Sequence, residues 1–408
     1  MEKRYKYIIL GAGPAGLTFA NLLKQHKENS FVVLEAMETA GGLCRSKEID
    51  GFPLDTGGGH FLDVRRPKVN NFLFHFMPEN EWNLFTRNSK INYRGTLIDH
   101  PFEANIWEMD IESQIDFLKS IATAGCNRGA KMPENFVDWI YWKLGDKIAE
   151  EYMIPYNKKI FSDNLNDLGT YWLDKLPNVS FEDTLRSCLE HKAFGEEPGH
   201  AKFYYPKKYG YGEIWCRMAD EIRQHIVYQM PVDRIDFEQG IVSCIDESTF
   251  SGENIVTTIP WAEFKDITGI PEKIKKSINR LKYSSIEIKY YPEMLNTDAH
   301  WIYYPAKELE YHRVLVRHNF CPNSKGYWTE TNMERVSSTP RENAFVNQYA
   351  YPLNTVDKRE IMNNLIMWAE RYKIYPLGRW GEHQHYNSDV TVLKAMELFE
   401  RLEGGNSN

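Results

Sequence analysis

The distribution of apolar residues predicts a β-α-β unit at the start of the chain. Residues 5–10 and 31–35 are short apolar runs, and between them residues 14–25 place apolar side chains at helical spacing. Short connections between two strands and an intervening helix favour a parallel strand pair joined by a right-handed crossover. The pattern is therefore typical of an α/β fold.

Farther along the chain, helical and strand-like patterns alternate. Residues 107–195 are mainly helical in pattern, whereas residues 201–206 and 280–350 are rich in strand-like runs. An amphipathic helix is predicted over 357–370 and a terminal helix over 389–402. Because no internal repeat and no Pro/Ser-rich linker separates these regions, we expect interleaved domains rather than a string of independent ones.

A glycine turn connects the first predicted strand to the first predicted helix. The turn GAGPAG supplies Gly11, Gly13 and Gly16, and Glu35 follows the second strand, 19 residues after Gly16. In Rossmann units these glycines permit the tight turn, the approach of a pyrophosphate and the packing of the helix, and the acidic residue hydrogen-bonds a ribose. The combination predicts a dinucleotide site.

Two further glycine segments favour FAD over NAD as the dinucleotide. A Gly-Gly pair ending at Gly42, followed by Arg45, resembles the second phosphate-contacting turn of glutathione-reductase-like flavoproteins. The segment DTGGGHFLD contains Gly58, Gly59 and His60, and a glycine run lets the backbone lie against a flat ring or adopt positive φ. We expect His60 to bond to the flavin or to the neighbouring backbone.

The expected fold is a Rossmann-type FAD-binding domain with a helical insertion and an antiparallel β-sheet substrate domain. The FAD-binding domain is assigned to residues 1–66, 222–262 and 370–405. The helical domain, for substrate binding or dimerisation, is assigned to residues 107–195. The β-sheet domain is assigned to residues 84–106, 197–221 and 263–369.

Composition narrows the expected partners. The net charge of −8 argues against general nucleic-acid binding. The six cysteines lie at least 28 residues apart, which excludes zinc-type spacing and favours reduced thiols in a cytoplasmic protein without a metal. No apolar stretch is long enough for a membrane-spanning helix. The aromatic content of 14% is consistent either with aromatic-rich packing or with a surface that stacks on flat ligands or sugars.

Motifs along nearly the whole chain resemble the UDP-galactopyranose mutase family and its amine-oxidase-like relatives. The Rossmann start, GGLCRS and GGGHF carry the likeness in the first sixty residues. It continues in HPFEANIW at 100–107, IPYNKKIF at 154–161, YWLDKLP at 171–177, HWIYYPAKELEYHR at 300–313 and GRWGEHQHYNSD at 378–389.

The resemblance implies an FAD-dependent sugar-nucleotide mutase. In that family the reduced flavin, FADH⁻, acts through N5 as nucleophile at the anomeric carbon, and pyranose becomes furanose without net redox change. NAD(P)H or another reductant would activate the flavin. The implied catalytic residues are His60, Lys175, Arg313, Tyr351 and His385. Lys175 and His385 depart from the family's arginine and tyrosine, and a lysine keeps the charge but loses the bidentate fork.

The resemblance also assigns binding residues. Those expected to contact the nucleotide sugar are Arg87, His100, Glu103, Tyr156, Asn157, Phe161, Trp301, Tyr303 and Tyr386. Those added to the cofactor site are Val232, through its backbone at the adenine, with Gly378, Arg379 and Asn387 at the C-terminal flavin motif, where Asp389 is expected to cap the last helix. A homodimer is an assembly that the resemblance allows.

Two other functions fit parts of the sequence. An amine oxidase or protoporphyrinogen-oxidase-like oxidoreductase would use the same Rossmann frame and transfer hydride to N5. A flavin-binding protein without catalysis would explain Lys175 and His385. The stretch from Trp301 to Arg313 favours the mutase, because an oxidase has no evident need for a diphosphate-binding arginine there.

Overall fold

The computed structural model describes residues 4–161, 165–173, 176–195, 199–337 and 342–404. The chain forms two compact units. Unit 1 comprises Met1–Asn83, Tyr204–Lys282 and Asp357–Asn408, and unit 2 comprises Leu84–Phe203 and Tyr283–Val356. Lys175 lies outside the described residues.

Strands and helices follow one another along the first half of the chain, over residues 4–206, with short 3₁₀ turns between some of them. They are β1 (Arg4–Leu10), α1 (Pro14–Gln25), β2 (Phe31–Leu34), β3 (Ser46–Ile49), β4 (Phe52–Asp55), β5 (Leu62–Asp63), α2 (Pro67–Phe76), β6 (Trp82–Thr86), β7 (Ser89–Tyr93), β8 (Thr96–Asp99), α3 (Ile111–Ala122), α4 (Phe136–Ile148), a π-helical turn (Ala149–Met153), α5 (Ile154–Ile160), α6 (Phe181–Glu190) and β9 (Lys202–Pro206).

The remaining elements complete both units. They are α7 (Gly212–Glu221), β10 (Ile226–Val227), β11 (Val232–Asp236), β12 (Ile241–Cys244), β13 (Thr249–Thr257), β14 (Asp266–Thr268), α8 (Glu272–Ile278), β15 (Tyr283–Tyr291), β16 (Trp301–Tyr303), β17 (Arg313–Leu315), α9 (Arg317–Phe320), β18 (Tyr327–Asn332), β19 (Ala344–Pro352), α10 (Lys358–Arg371), β20 (Ile374–Pro376), α11 (Gly378–Gly381) and α12 (Ser388–Glu403).

Unit 1 is built on a central sheet with the strand order β10-β2-β1-β13-β12-β11-β14, and β20 pairs with β13. The pairs β1–β2, β1–β13 and β2–β10 are parallel. Because these strands have apolar residues on both faces, they form a continuous core that includes Ile8, Leu10, Val32 and Ile255. This arrangement confirms the predicted β-α-β start.

Unit 2 combines a seven-stranded sheet with a helical insertion. The strand order is β19-β15-β18-β17-β16-β7-β8. All of these pairs are antiparallel except β7 with β16, which is parallel. The inserted helices bury a separate aromatic-rich core that includes Phe102, Phe136, Ile140 and Ile148. The predicted fold class, an α/β chain with a helical insertion and a second sheet, is confirmed.

The two compact units have different bounds from the three domains assigned from the sequence. Residues 204–221, 263–282 and 357–369 were expected in the β-sheet domain but belong to unit 1. The reason is that α7, α8 and α10 bury apolar side chains within unit 1; Met362 and Leu365 of α10, for example, lie in its core. The division into three functional domains stays a prediction.

The described part of the chain contains no helix that is long and apolar enough to cross a membrane. Within the same residues, no group of three or more His, Cys, Asp or Glu side chains could hold a metal ion.

Candidate functional site

Two glycines in the first glycine turn of unit 1, Gly11 and Gly16, have no room for a side chain. Gly11 adopts φ +98°, and a Cβ on Gly11 would lie 2.6 Å from Oγ1 of Thr258. A Cβ on Gly16 would lie 2.0 Å from the carbonyl oxygen of Gly11. Glycine is therefore required at both positions, the first for its left-handed backbone and the second for the close approach of α1 to the turn.

The second glycine turn lies against the start of α1. Gly42 adopts φ +55°, and a Cβ on this residue would lie 3.3 Å from Cα of Gly13. Gly13 is the N-cap of α1 and Pro14 is its first helical residue. The first turn of a helix presents unpaired N–H groups and a positive dipole end, so the two turns form a cradle suited to an anion such as a pyrophosphate. We call this arrangement the glycine cradle.

Glu35 braces the glycine cradle from the end of β2. Its carboxylate accepts hydrogen bonds from the backbone N–H of Ala12 at 2.7 Å and of Met37 at 2.9 Å. Burial raises the pKa of Glu35, although these two hydrogen bonds and the charge of Arg45 oppose the shift. Its predicted contact with a ribose stays a prediction.

Two arginines bring positive charge to the same part of unit 1. Burial raises the pKa of the Cys44 thiol to about 12, and the charges of Arg379 and Arg45 both oppose that shift. Arg379 donates from Nε to the carbonyl oxygen of Tyr386 at 3.0 Å. A Cβ on Gly378 would lie 2.8 Å from Cβ of Ala15, which places the C-terminal motif against the first turn of α1.

The triple-glycine segment is anchored by a buried carboxylate, Asp55. Asp55 accepts hydrogen bonds from Oγ of Ser46 at 2.5 Å, from the hydroxyl of Tyr205 at 3.1 Å and from the N–H of Tyr211 at 3.1 Å. Burial raises the pKa of Asp55 to about 7 despite these bonds. Gly58, three residues after Asp55, adopts φ +102°.

His60 follows this segment directly, after Gly59. Its ring lies nearly parallel to that of Tyr211, with the ring centroids 6.3 Å apart. The hydroxyl of Tyr211 pairs with Oγ of Ser388, the first residue of α12, at 2.6 Å. The segment predicted to face the flavin is therefore connected to the C-terminal motif within unit 1.

The remaining unit 1 candidates lie at β11 and at the start of α12. Val232 begins β11 and is paired with Cys244. Asn387 is the N-cap of α12. Asp389, expected to cap this helix, lies inside it and accepts a hydrogen bond from Arg66 instead. The helix begins earlier than expected, so its first turn already includes Asp389.

His385 and Tyr386 share the loop between α11 and α12. The hydroxyl of Tyr386 donates to Glu382 at 3.5 Å. Burial raises the pKa of Glu382 to about 7 and also raises that of Tyr386. His385 and Tyr386 belong to unit 1, as does His60.

In unit 2, Arg87 connects several predicted substrate residues. It donates to the hydroxyl of Tyr303 at 3.1 Å and pairs with Nδ1 of His100 at 3.2 Å, while its guanidinium lies 5.0 Å from the ring centroid of Trp301. It also donates to the carbonyl oxygen of Gly199 at 2.7 Å. Burial and the charge of Arg87 hold the pKa of His100 well below its usual value, so the imidazole is neutral at pH 7.

Tyrosines pack around Tyr303. The indole N–H of Trp301 donates to the hydroxyl of Tyr303 at 2.9 Å, and the ring of Tyr156 packs edge-on against that of Tyr303 at 5.4 Å. Tyr152 stacks on Tyr156 at 5.8 Å. Burial raises the pKa of Tyr156 well above its usual value, so its phenol stays protonated.

Arg313 is held by a buried carboxylate on the neighbouring strand. Glu330 lies directly opposite Arg313 in the β17–β18 pair, and its Oε2 accepts from Nε at 2.7 Å and from Nη2 at 2.6 Å. Burial by itself would lower the pKa of Arg313, but Glu330 and the tyrosines Tyr351, Tyr156 and Tyr303 outweigh it and raise the pKa. Arg313 therefore carries a fixed positive charge among aromatic side chains.

The other predicted residues of unit 2 take different positions. The rings of Phe161 and Tyr351 lie 6.4 Å apart. Asn157 is buried and donates to the carbonyl oxygen of Met153 at 2.7 Å, within its own helix. Burial raises the pKa of the Glu103 carboxyl to about 7.

The predicted catalytic residues are thus divided between the units. Arg313 and Tyr351 belong to unit 2, and His60 and His385 belong to unit 1. Sequence reasoning missed Glu330, Tyr152 and Asp55. Only Asp55 carried a signal, because it lies two residues before the glycine run.

Comparison with known proteins gives the same architecture. Residues 9–76 match the family model of an NAD(P)-binding Rossmann-like domain. A crystal structure of reduced UDP-galactopyranose mutase is similar over 99% of this chain and 95% of that chain, with a TM-score of 0.89 and 20% identity.

Two oxidase structures are also similar over most of their length. A protein assigned as a protoporphyrinogen oxidase from Exiguobacterium sp. 255-15 matches over 99% of this chain and all (100%) of that chain, with a TM-score of 0.70 and 14% identity. Putrescine oxidase bound to putrescine matches over 98% and 99%, with a TM-score of 0.64 and 13% identity. The chain therefore has the fold of UDP-galactopyranose mutase, and its residues 9–76 are similar to NAD(P)-binding Rossmann-like domains.

Proposed function

We propose that unit 1 binds FAD. The glycine cradle supports this, because Gly13 and Gly42 are only partly buried there and the first turn of α1 presents unpaired N–H groups. Arg45 and Arg379 supply positive charge for a pyrophosphate. The segment from Gly58 to His60 would lie against the isoalloxazine ring.

We further propose that the enzyme interconverts the pyranose and furanose forms of a nucleotide sugar. When bound and reduced, FAD would supply a nucleophile at N5 for this chemistry. The observation that carries the proposal is Arg313 in its setting of tyrosines. Among the described residues, Nη1 of Arg313 has no hydrogen-bond acceptor, while Glu330 fixes the other side of the guanidinium.

This arrangement suits a diphosphate that leaves and returns during the reaction. A guanidinium held in place by a carboxylate stabilises developing negative charge on phosphate without having to reorganise. Tyr156, Tyr303 and Tyr351 lie near Arg313, and their hydroxyls would donate hydrogen bonds to phosphate oxygens. His100 is held neutral and adds no positive charge of its own.

The roles of the other candidates follow from their surroundings. Phe161 would stack on the nucleotide base beside Tyr351, and Trp301 would line the pocket next to Tyr303. Arg87 would hold Tyr303 and His100 in position rather than contact phosphate itself. His60 and His385 stay candidates for contacts near the reacting centre.

The direct test is to incubate the dithionite-reduced protein with UDP-, dTDP- and GDP-sugars and to read the ring form of the product by NMR. We expect a furanose product from at least one of these sugars. Failure with every sugar, together with oxygen consumption on an amine or a CH–CH substrate, would replace the mutase by the oxidase that shares this fold.

A further inference from the structure

The seven-stranded sheet of unit 2 has two chemically different faces. Successive residues of a strand point to opposite faces of its sheet. Tyr303 and Arg313 lie on the face that carries the predicted substrate residues. Ile302, Val314 and Val316 lie on the opposite face, where they form a small apolar cluster.

Four half-buried tyrosines lie on and beside this apolar cluster, and we call them the tyrosine platform. Tyr291 and Tyr327 are opposite each other in the β15–β18 pair, with their rings 5.1 Å apart and within 10° of parallel. Tyr304 and Tyr311 pack edge to face, also with 5.1 Å between ring centroids. Tyr304 directly follows Tyr303, yet its ring packs with Tyr311 and not with the substrate cluster.

The hydroxyl groups of the tyrosine platform are available to a ligand. Within the described ranges of the chain, none of the four phenol oxygens has a hydrogen-bond partner. Burial raises the pKa of Tyr304 to about 12 and also raises that of Tyr311 and Tyr327. At neutral pH the hydroxyls of Tyr304, Tyr311 and Tyr327 can therefore both donate and accept a hydrogen bond.

The loop that carries Tyr304 and Tyr311 is held in place by a buried lysine, Lys159. This lysine is only 1% exposed, and its Nζ donates to the carbonyl oxygens of Tyr304 at 2.7 Å and of Ala306 at 2.9 Å. A buried amino group that donates to two backbone carbonyls holds the loop in one conformation. The loop of Tyr304 and Tyr311 is therefore ordered before any ligand arrives, which lowers the entropic cost of binding.

Charged side chains lie at the edge of the platform. Nζ of Lys289 is 5.2 Å from the ring centroid of Tyr291. The carboxylate of Glu293 contributes to the raised pKa of Tyr327 and so lies near that ring. The surface thus combines apolar ring faces with hydroxyl, ammonium and carboxylate groups.

We propose that the tyrosine platform binds a carbohydrate chain. A pyranose ring has an apolar face of C–H groups and a rim of hydroxyls, which match an aromatic ring bordered by hydrogen-bonding groups. The chain's net charge of −8 disfavours a polyanionic ligand on this surface. The site is separate from the proposed reaction site, because it occupies the other face of the sheet.

The test uses the full chain and three neutral hexasaccharides: maltohexaose, cellohexaose and a β-linked galactohexaose. Binding is measured by saturation-transfer NMR and calorimetry. We expect at least one of them to bind with a Kd of about 1 mM or below. The double variant Tyr304→Ala/Tyr327→Ala should bind at least about tenfold more weakly, since each lost ring removes a stacking surface.

Controls separate this role from a purely structural one. Tyr304→Phe/Tyr327→Phe keeps both rings and should retain most of the affinity, and Tyr141→Ala, at a half-buried tyrosine of the helical insertion, should leave it unchanged. Circular dichroism confirms folding of each variant. The proposal is overturned if no hexasaccharide binds at 10 mM (about ten times the expected Kd), if a folded double variant binds like the parent, or if excess nucleotide sugar displaces the hexasaccharide.

Discussion

Single residues with buried charges carry most of the proposed chemistry. Glu330 takes up one side of the Arg313 guanidinium and leaves Nη1 for a ligand. Glu330 would not be stable in this position alone, because an unpaired buried carboxylate costs several kcal/mol. We therefore interpret Glu330 as the residue that fixes the cationic guanidinium of Arg313 in place, rather than as a contribution to stability.

Replacing Arg313 tests that interpretation. In Arg313→Ala we expect kcat/KM for the nucleotide sugar to fall at least about 100-fold, as for loss of one charged donor to a leaving group. Arg313→Lys should recover only part of the activity, because lysine lacks the fork that fits both Glu330 and phosphate. The flavin absorbance spectrum should stay unchanged in both variants.

Arg94→Ala is the matched control for these variants, since Arg94 forms an ion pair with Glu151 at the surface of the same unit. It should change kcat/KM less than twofold. Normal turnover by Arg313→Ala would contradict the diphosphate role.

Asp55 makes a prediction about pH. Its pKa in the folded protein is about 7, above the ordinary value of 3.8, so between these values the folded state binds more protons than the unfolded state. The free energy of unfolding should therefore fall as pH rises from about 4 to 7, by up to ~1.4 kcal/mol per pH unit from this group. Urea titrations of the parent and Asp55→Asn should show a flatter pH dependence for the variant. Equal slopes would show that Asp55 ionises normally.

At the scale of elements, the first helix and its glycine turns determine cofactor binding. Gly13 and Gly16 offer an unusually clear contrast. A Cβ on Gly16 meets a backbone carbonyl at 2.0 Å, whereas a Cβ on Gly13 has no neighbour closer than 3.8 Å, and Gly13 has an ordinary extended φ of −81°.

Gly16→Ala should therefore lose stability and FAD together, with a cost of several kcal/mol because a backbone must move. Gly13→Ala should melt within a few degrees of the parent, since a surface change at a compatible φ costs about 0.5 kcal/mol or less. Its Kd for FAD should nevertheless rise at least about tenfold, because the methyl group would enter the space for the pyrophosphate. Unchanged FAD affinity in Gly13→Ala would place the pyrophosphate elsewhere.

The bounds of several helices and strands could be predicted from the sequence. Local periodicity and turn chemistry define β1, α1 and β2, and they also define α10 and α12 to within one or two residues. Glu330 could not be found in this way, because its pairing with Arg313 depends on the register of two strands. Register is set by long-range packing and leaves no local signal.

For the whole molecule, the sequence predicted that the segments of different domains alternate along the chain. It did not predict which helices pack in unit 1 and which pack in unit 2. The helices α7, α8 and α10 have amphipathic patterns, and such a pattern does not say which sheet the apolar side will cover. Motif resemblance brought Arg87, His100, Tyr156, Tyr303 and Arg313 into one predicted site, and in unit 2 these residues form one connected cluster. The loops that carry His60 and His385 belong to unit 1.

The proposed reaction uses a reduced flavin but involves no net redox change. The most direct test is to reduce the protein with one equivalent of dithionite under anaerobic conditions and to count furanose formed per flavin, while absorbance reports the flavin's redox state. We expect many turnovers per flavin, with the flavin still reduced at the end. Product that stops at one equivalent per flavin, with reoxidation of the flavin, would contradict it and identify an oxidoreductase.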